Sequence, residues 1–289
     1  MWFWYAVLSA AFSGVSVILN KKALHNVSAA LVSWTLFILP IPLLLILVLR
    51  EGIPQLNAMF FVGVTISSII FAISKTVSLN SIKNSFLSKI FPLISFGTFF
   101  QYLFALLFLG ENVKPIPLLG LFMIMFGAYI LNVDKAKEHF LMPFKLLVTH
   151  KESFVFILAT LFTHLTGIID KVAIKNTSPN SALFVLFIED IILASVLSLY
   201  LFKQEKYWFR DLRKNFLLLT IGSVIYTILS LFFLMGITTG AVALVGGIKK
   251  LEILFVLGLS YLFFGDKPEK HTWLGTLVML LGVILIKLG

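Results

Sequence analysis

Residues 109–131 read LGENVKPIPLLGLFMIMFGAYIL, and residues 264–286 read FGDKPEKHTWLGTLVMLLGVILI. At an offset of 155 residues, Gly-Glu aligns with Gly-Asp, Leu-Gly with Leu-Gly, and a later glycine with a glycine. FSGVSVILNKKAL at 12–24 aligns in the same way with FTHLTGIIDKVAI at 162–174, at an offset of 150. Two separate matches at nearly the same offset indicate that one half of the chain is a copy of the other.

The composition indicates that both copies lie in a membrane. The 289 residues are 60% hydrophobic and 12% charged, with a mean hydropathy of +1.04, whereas soluble domains are about 45–50% apolar and about 25% charged. There is no cysteine, which excludes disulfides, thiolate metal sites and cysteine nucleophiles. The net charge of +10 fits loops that face anionic lipid better than nucleic acid. We predict no cofactor and no metal.

Ten segments have the composition of membrane-spanning helices, since a span needs about 20 mostly apolar residues. They lie at 2–20, 28–49, 58–79, 85–108, 115–133, 154–174, 181–202, 215–237, 241–264 and 272–288. The duplication gives a first repeat at 1–133, a basic loop at 134–153 and a second repeat at 154–289. Because five spans are an odd number, the second copy enters the membrane in the opposite direction.

The predicted fold class is therefore all-α integral membrane, with ten transmembrane helices as two inverted five-helix repeats. This architecture is typical of alternating-access transporters, whose site lies near the midplane between the repeats. The alternative is that the duplication only builds a stable bundle. Glycines seven residues apart predict close helix packing in the fifth and tenth spans; they are Gly120, Gly127, Gly275 and Gly282.

These features resemble the EamA-type transporters of the drug/metabolite transporter superfamily. The resemblance rests on the five-plus-five layout, on Gly110-Glu111 and Gly265-Asp266 after the fourth and ninth spans, and on KLEILFVLGLSYLFFGD at 250–266. It covers nearly the whole chain and implies a transporter rather than an enzyme. The chain departs from the family pattern before Glu252, where lysines replace apolar residues, and after it, where Ile253 stands in place of a frequent proline.

The ninth span carries the deepest charges. Lys249, Lys250 and Glu252 lie near its centre, where insertion of a charged side chain costs about 2.5–3.5 kcal/mol on translocon scales. Such groups face a bundle interior or a wet cavity, so these three are our first candidates for substrate binding. Lys249 and Glu252 are three residues apart and can pair, which leaves a structural ion pair as the alternative. The lysines favour an anionic or zwitterionic solute.

Four further ionisable residues are candidates for proton or ion coupling. His164 lies at the centre of the sixth span, Asp170 follows in the same span, and Glu189 and Asp190 lie near the centre of the seventh. Adjacent carboxylates repel, so one of them would hold a proton, and histidine changes its charge near neutral pH. The alternatives are a packing histidine and carboxylates that pair with Lys171, Lys75 or Lys89.

Polar residues in the first span and predicted helix interruptions in two other spans complete the candidate site. Ser13, Ser16 and Asn20, together with Ser9, are spaced three to four residues apart and form one stripe, which lines either the cavity or a packing face. Pro92 in the fourth span, and Gly246 and Gly247 in the ninth, predict helix breaks. Pro92 and Gly247 are equivalent at the 155-residue offset, and paired interruptions are the best pointer to a transporter site.

The predicted function is secondary transport of a small polar metabolite, anionic or zwitterionic. An isoprenoid- or lipid-linked headgroup flippase of the same fold, or a non-transporting structural or receptor protein, are the alternatives. No metalloprotease, phosphate-loop, dinucleotide or serine-hydrolase motif is present in the sequence. The expected partners are a small-molecule substrate and the lipid bilayer without nucleic acid, and the sequence leaves open proton or ion coupling and a homodimer.

The loops predict a multi-pass protein of the plasma or inner membrane with a definite orientation. Loops after odd-numbered spans hold 14 basic residues and the remaining loops and ends hold 5. The positive-inside rule then places the odd loops in the cytoplasm and both termini outside. The family resemblance implies both termini inside, so the two arguments conflict.

Overall fold

The computed structural model describes residues 1–82, 93–136, 142–149, 151–264 and 270–289. This part of the chain forms helices and two short strands, in the order α1 (Trp2–Leu24), α2 (Ala29–Ile38), α3 (Ile41–Glu51), β1 (Gln55–Leu56), α4 (Ala58–Ile82), α5 (Gly97–Leu109), α6 (Pro115–Ala136), α7 (Met142–Thr149), α8 (Lys151–Lys175), β2 (Thr177–Ser178), α9 (Ala182–Gln204), α10 (Trp208–Lys214), α11 (Phe216–Thr239), α12 (Val242–Lys249), α13 (Glu252–Phe264) and α14 (Lys270–Leu288). Pro92, Lys89, Gly265 and Asp266 lie outside the described residues, as does the side chain of Lys75.

The apolar helices make this a multi-pass membrane protein. Within the described residues, five segments are long and apolar enough to cross a bilayer: α1, α2 with α3, α8 from Ser153, α9 and α11. Shorter apolar helices cover 58–74, 93–109, 115–131 and 272–288. The second predicted span is divided at Leu39 and Pro40, because proline has no backbone N–H to continue the hydrogen-bond ladder.

The sequence repeat extends to the start of an equivalent helix in each half. Adding the 155-residue offset to the first residue of α5, Gly97, gives the first residue of α13, Glu252. A 3₁₀ turn at 93–96 precedes α5, and a turn at Lys250 and Leu251 precedes α13 at the equivalent place. The two halves therefore share their local structure, including an irregular turn before the same helix.

The most extensive packing joins helices of different halves. α1 packs on α11, α4 on α8, α6 on α14, and α2 and α3 on α9. In the two repeats α1 corresponds to α8, α4 to α11, α6 to α14, and α2 with α3 to α9. Exchanging each helix for its counterpart therefore turns the α1–α11 pair into the α8–α4 pair and leaves the other pairings unchanged. The packing thus has the pattern of a two-fold relation between the halves.

Glycines bring α6 and α14 into backbone contact, as the sequence predicted. A Cβ atom built on Gly127 would lie 2.7 Å from the carbonyl oxygen of Gly275, and one on Gly275 would lie 2.9 Å from that of Gly127. Gly120 and Gly282 approach each other reciprocally in the same way. Small residues permit this close helix crossing in a membrane, where packing rather than water exclusion holds helices together.

The bundle has two ends that differ in their connections. The end that carries residues 52–57, 110–114, 176–181 and 240–241 is called the Glu111 end, and the end that carries 25–28 and 205–215 is called the Lys206 end. At the Glu111 end, β1 and β2 pair antiparallel, with Gln55 opposite Ser178, and Asn57 Nδ2 donates a hydrogen bond of 2.7 Å to Asn176 Oδ1. These contacts tie the loop after α3 to the loop after α8.

Candidate functional site

A cavity of about 380 Å³ lies in the middle of the bundle, between the two halves. Helices α2, α4, α5, α8, α9, α11 and α12 and the start of α13 contribute to its wall. Its acidic and basic lining residues are His164, Asp170, Glu189, Asp190, Lys249, Lys250 and Glu252. A cavity with seven acidic or basic side chains at the middle of apolar helices is the expected setting for a polar ligand.

The cavity gathers most of the residues that the sequence singled out. The two lysines, the four carboxylic acids, His164 and Gly246 all line it, although they come from three separate spans. Ser13, Ser16, Asn20 and Gly247 are not among the lining residues. Whether the lining residues bind a substrate stays a prediction.

The ninth span is interrupted at the lysines and not at the glycines. α12 runs through Gly246 and Gly247 and ends at Lys249, so the predicted break at the glycines is wrong in position. Leu251 N donates to Ile248 O at 2.9 Å and Ile253 N to Lys250 O at 3.1 Å. These three-residue spacings tighten the turn and keep its backbone groups hydrogen-bonded within the membrane. The turn carries Lys250, directly after Lys249, to the cavity.

The two glycines instead permit close approach of neighbouring side chains. A Cβ atom on Gly246 would overlap Gln101 Oε1, and one on Gly247 would overlap Leu121 Cδ1. Gln101 lies on α5, is 3% exposed and also borders Gly167 of α8, where a Cβ would lie 3.1 Å from its Nε2 atom. The Gln101 amide therefore fills the space between α12 and α8.

Lys249 and Glu252 do not form the ion pair that their spacing permits and that was the alternative to substrate binding. The ammonium of Lys249 lies 4.7 Å from the ring centroid of Phe233, a cation–π contact. Glu252 Oε2 accepts a hydrogen bond from the Ser13 hydroxyl of α1. The reason is the turn between the two residues, because it interrupts the continuous helix on which an i, i+3 pair depends.

Three carboxylic acids form the other polar region of the cavity wall. Asp170 accepts a hydrogen bond from the Ser67 hydroxyl, and its carboxyl group lies within hydrogen-bonding reach of Glu189. The side chains of Asp170, Glu189 and Asp190 are 7%, 9% and 2% exposed. Glu189 Oε1 has no hydrogen-bond partner within the described part of the chain. Asp170 and Glu189 thus face each other, and within the described residues none of the three acids forms an ion pair.

Lys171, one of the partners considered as an alternative for Glu189 and Asp190, pairs with neither of them. Lys171 Nζ lies 2.5 Å from Glu111 Oε1 and donates to the carbonyl oxygen of Gly240 at 2.7 Å. The other carboxylate oxygen, Glu111 Oε2, accepts from Val242 N at 2.8 Å. Because the first N–H groups of a helix have no partner within it, Glu111 caps α12, and Lys171 neutralises the cap.

His164 is held by its own helix. Its Nδ1 atom lies 2.8 Å from the carbonyl oxygen of Thr160. Since a carbonyl oxygen can only accept, Nδ1 carries a proton and Nε2 is the nitrogen available to another partner. The ring packs on Gly97 at the start of α5, where a Cβ atom would overlap it. His164 therefore has both a packing contact and a place in the cavity wall.

The polar stripe of α1 serves contacts between helices. Ser9 Oγ donates to the carbonyl oxygen of Leu229 at 2.8 Å, and Asn20 Nδ2 donates to Ser16 Oγ at 3.3 Å. Only Ser13 reaches a cavity residue, Glu252. The packing alternative thus describes the geometry of Ser9 better than cavity lining does.

Sequence reasoning missed several lining residues. They include Gln101, Ser67, Ser68, Thr160, Tyr226, Ser230 and Phe233. Gln101 carried a signal, because it is the lone amide in the apolar helix GTFFQYLFALLFL. The serine, threonine and aromatic residues carried none, since these residue types are frequent in membrane helices. Among the described residues, no group of three His, Cys, Asp or Glu side chains is arranged to hold a metal ion.

Comparisons with known proteins identify the fold and the family. The sequence model of the EamA-like transporter family matches residues 1–133 and 150–288. A solved structure described as "Crystal structure of protein" aligns with a TM-score of 0.72 at 12% sequence identity, covering 99% of this chain and 95% of that chain. At this identity the likeness shows the fold alone. No curated protein matches the chain.

Proposed function

Because the chain belongs to the EamA-like transporter family, and is thereby a membrane transporter of the drug/metabolite transporter superfamily, we propose that it moves a small polar metabolite, anionic or zwitterionic, by alternating access. In this proposal ten spans form two inverted repeats, and the central cavity is the substrate site. One observation carries it: Lys249 and Lys250 line a cavity of about 380 Å³ without a carboxylate oxygen within 4.0 Å of either ammonium in the described residues.

The charges of the cavity support an anionic group on the substrate. An ammonium group removed from water is costly unless an opposite charge or several hydrogen bonds replace the water. Lys171 obtains both from Glu111 and Gly240, whereas Lys250 obtains no such ion pair. A carboxylate or phosphate of the substrate would supply the missing partner. The volume lies at the small end of the range for ligand sites, about 300–1,000 Å³.

The carboxylic acids support a second role, coupling to a proton or binding a cationic group. Asp170 and Glu189 lie within hydrogen-bonding reach of each other in a buried place. Two carboxylates at this separation repel, and a shared proton relieves the repulsion. Exchange of that proton for a cation, or for the ammonium group of a zwitterionic substrate, would couple the site to transport.

The Glu111 end is the closed side in the proposed cycle. Between this end and the cavity lies a layer of apolar side chains that are at most 8% exposed, among them Phe60, Val64, Ile174, Val185, Ile237, Val242 and Val245. The Glu111–Lys171 ion pair and the β1–β2 pairing lie outside this layer. Opening toward the Glu111 end requires both contacts to separate, because each joins elements of the two repeats.

A ligand screen followed by a flux measurement tests the proposal. Metabolites are first screened on the purified protein by thermal shift, since a ligand of the folded state raises its apparent stability. The best ligand is then measured in proteoliposomes with Lys250→Met, which keeps the length of the side chain and removes its charge. We expect affinity to fall about tenfold or more, as for the loss of a charged hydrogen bond.

Lys175→Met is the matched control, because Lys175 is exposed at the end of α8 and does not line the cavity. It should leave affinity and flux unchanged. Absence of flux for every metabolite pool would contradict the transporter proposal, and unchanged affinity in Lys250→Met would contradict the substrate site.

Cross-linking tests the closed side. The chain has no cysteine, so Asn57→Cys with Asn176→Cys introduces one defined pair. The β1–β2 register places these positions opposite each other at the next step of the ladder, where Cα atoms lie about 4.5–5.5 Å apart and a disulfide fits. Oxidation should abolish flux and reduction should restore it, whereas Asn57→Cys alone should respond to neither. Undiminished flux in the oxidised pair would refute opening at this end.

We also propose that the Lys206 end faces the cytoplasm and that the protein lies in the plasma or inner membrane. The excess of basic residues in the odd-numbered loops supports this orientation. Gly289 lies at the Glu111 end, where its carbonyl oxygen accepts from Lys114 Nζ at 3.3 Å. A reporter fused after Gly289 should therefore be active outside the cytoplasm, and cytoplasmic activity would reverse the assignment.

A further inference from the structure

The segment between α9 and α11 forms a short helix on the Lys206 end. This helix, α10, turns one face to the bundle: the Trp208 ring lies 5.0 Å from the Phe202 ring and 5.5 Å from the Trp34 ring, centroid to centroid. Trp34 is fixed in turn, since its Nε1 atom donates to Ser198 Oγ at 2.7 Å. Leu212, one turn after Trp208, packs on the same apolar cluster. α10 is thus anchored to α2 and α9.

The opposite face combines exposed cations with exposed aromatic rings. All five basic residues of 203–214 are exposed; they are Lys203, Lys206, Arg210, Arg213 and Lys214. Tyr207 and Phe209 are 58% and 63% exposed, and beyond α10 Phe216 and Leu217 are 54% and 74% exposed. The guanidinium of Arg210 lies 4.8 Å and the ammonium of Lys206 lies 6.0 Å from the centroid of the Tyr207 ring. Cations and rings therefore share one surface, named here the α10 surface.

Acidic residues do not neutralise this surface. Segment 203–214 contains two acids, Glu205 and Asp211, against its five bases. Arg210 Nε lies 3.1 Å from Asp211 Oδ1, and the two side chains are 59% and 33% exposed. An exposed pair of this kind contributes little, so most of the positive charge stays available to a partner.

We propose that the α10 surface binds the headgroups of anionic phospholipids. If this surface lay in water, its aromatic rings would be unfavourably exposed. If it lay in the hydrocarbon core, its cations would have no partners. The headgroup layer satisfies both, because aromatic rings partition there and basic side chains pair with lipid phosphates. The position of α10, where two apolar helices leave the bilayer at the Lys206 end, places it at this depth. The excess of three positive charges selects anionic over zwitterionic lipid.

The test is lipid binding by the full-length protein purified in detergent. Bound phosphatidylglycerol and phosphatidylcholine are counted by native mass spectrometry as each lipid is titrated. The test variant is Arg210→Gln with Arg213→Gln, and the control is Arg50→Gln with Lys175→Gln, which removes two exposed charges near the Glu111 end. Each basic side chain near an anionic surface contributes about 1 kcal/mol, so the test variant should weaken phosphatidylglycerol binding about 30-fold and the control should not.

Three results would overturn the proposal. They are equal binding of the two lipids by the unaltered protein, unchanged phosphatidylglycerol binding in the test variant, and equal loss in both double variants. Thermal melting of each variant verifies that it is folded, and raised salt provides a second measurement on the unaltered protein. Since exposed charges are screened by salt, phosphatidylglycerol binding that persists in about 1 M salt would also contradict an electrostatic site.

Discussion

Two lysine–glutamate combinations lie in the membrane helices or directly beside them, and only one of them forms an ion pair. At the Glu111 end, Lys171 meets Glu111 at 2.5 Å and a carbonyl oxygen at 2.7 Å. At the cavity, Lys249 and Lys250 precede Glu252 by three and two residues, yet Glu252 accepts from Ser13 and Lys249 lies over Phe233. The first arrangement is internally satisfied and joins helices. The second leaves its cations open to a ligand.

The difference shows that sequence separation alone does not decide the role of a membrane charge. Lys249 and Glu252 are close in sequence and are separated by a turn, whereas Lys171 and Glu111 are 60 positions apart and meet. The ion pair that holds the fold joins the two repeats. The charges next to each other in sequence line the space between the repeats.

The largest expected effect is on the thermal stability of variants at Lys171, which is paired, and at Lys250, which is not paired within the described part of the chain. Lys171→Met leaves the Glu111 carboxylate, whose side chain is 14% exposed, without a cation, and breaking one side of a buried pair costs up to about 3–5 kcal/mol. Lys250→Met removes a cation that has no carboxylate partner within the described residues, so it should leave the folded state as stable or more stable. The thermal midpoint of each purified variant, followed by tryptophan fluorescence in detergent, measures the difference. Equal destabilisation of the two variants would erase the distinction between the pairs.

The next largest effect on stability is expected from glycine substitutions beside the turn at Lys250 and Leu251. Gly246→Ala places a methyl group on Gln101 Oε1, and overpacking of this kind costs about 1–3 kcal/mol. Gly258→Ala is the matched control, because Gly258 lies in the neighbouring helix α13 with no atom within 4 Å of a built Cβ. It should be neutral or slightly stabilising, since alanine favours a helix over glycine.

A second change separates packing from other causes. Gln101→Ala removes the side chain that the new methyl group meets, so the double variant of Gly246 and Gln101 should regain most of the lost stability. The same thermal midpoint measures the recovery. An unrelieved loss in the double variant would show that Gly246 is required for a reason other than the approach of Gln101.

Much of the fold could be predicted from the sequence because the duplication is visible in it. The matched motifs at 109–131 and 264–286 predicted a repeat, and the structure extends it to the first residues of α5 and α13. The described residues contain five segments long enough to span a bilayer, with shorter apolar helices beside them. The break at Pro40 was missed, since the apolar run continues on both sides of it.

The candidate site was predictable in its charges and not in its contacts. Deep ionisable residues are costly in a membrane and therefore stand out in a sequence, which is why His164 and Lys250 were singled out and both line the cavity. Partners depend on how distant helices pack, and the sequence does not carry this information. For this reason the pairing of Lys171 with Glu111 was not foreseen, and Gln101, an uncharged residue, was overlooked.

The smallest expected effect tests the exposed contact that accompanies the Glu111–Lys171 pair. Asn57→Ser keeps a side-chain oxygen that can accept from Phe60 N at the start of α4 and removes the neutral hydrogen bond of 2.7 Å to Asn176 at the surface. Such a bond contributes about 0.5–1.5 kcal/mol. The thermal midpoint should therefore fall much less than in Lys171→Met, while both changes weaken the same end of the bundle. If the Glu111 end opens during transport, Asn57→Ser should also raise the rate at which a cysteine placed at Leu56, a half-buried position of β1, reacts with a water-soluble maleimide, because Asn176 and its acceptor oxygen are then unchanged. An unchanged reaction rate together with an unchanged thermal midpoint would show that the strand pairing does not help to close this end. The Glu111–Lys171 pair and the apolar layer beneath it would then account for the closure.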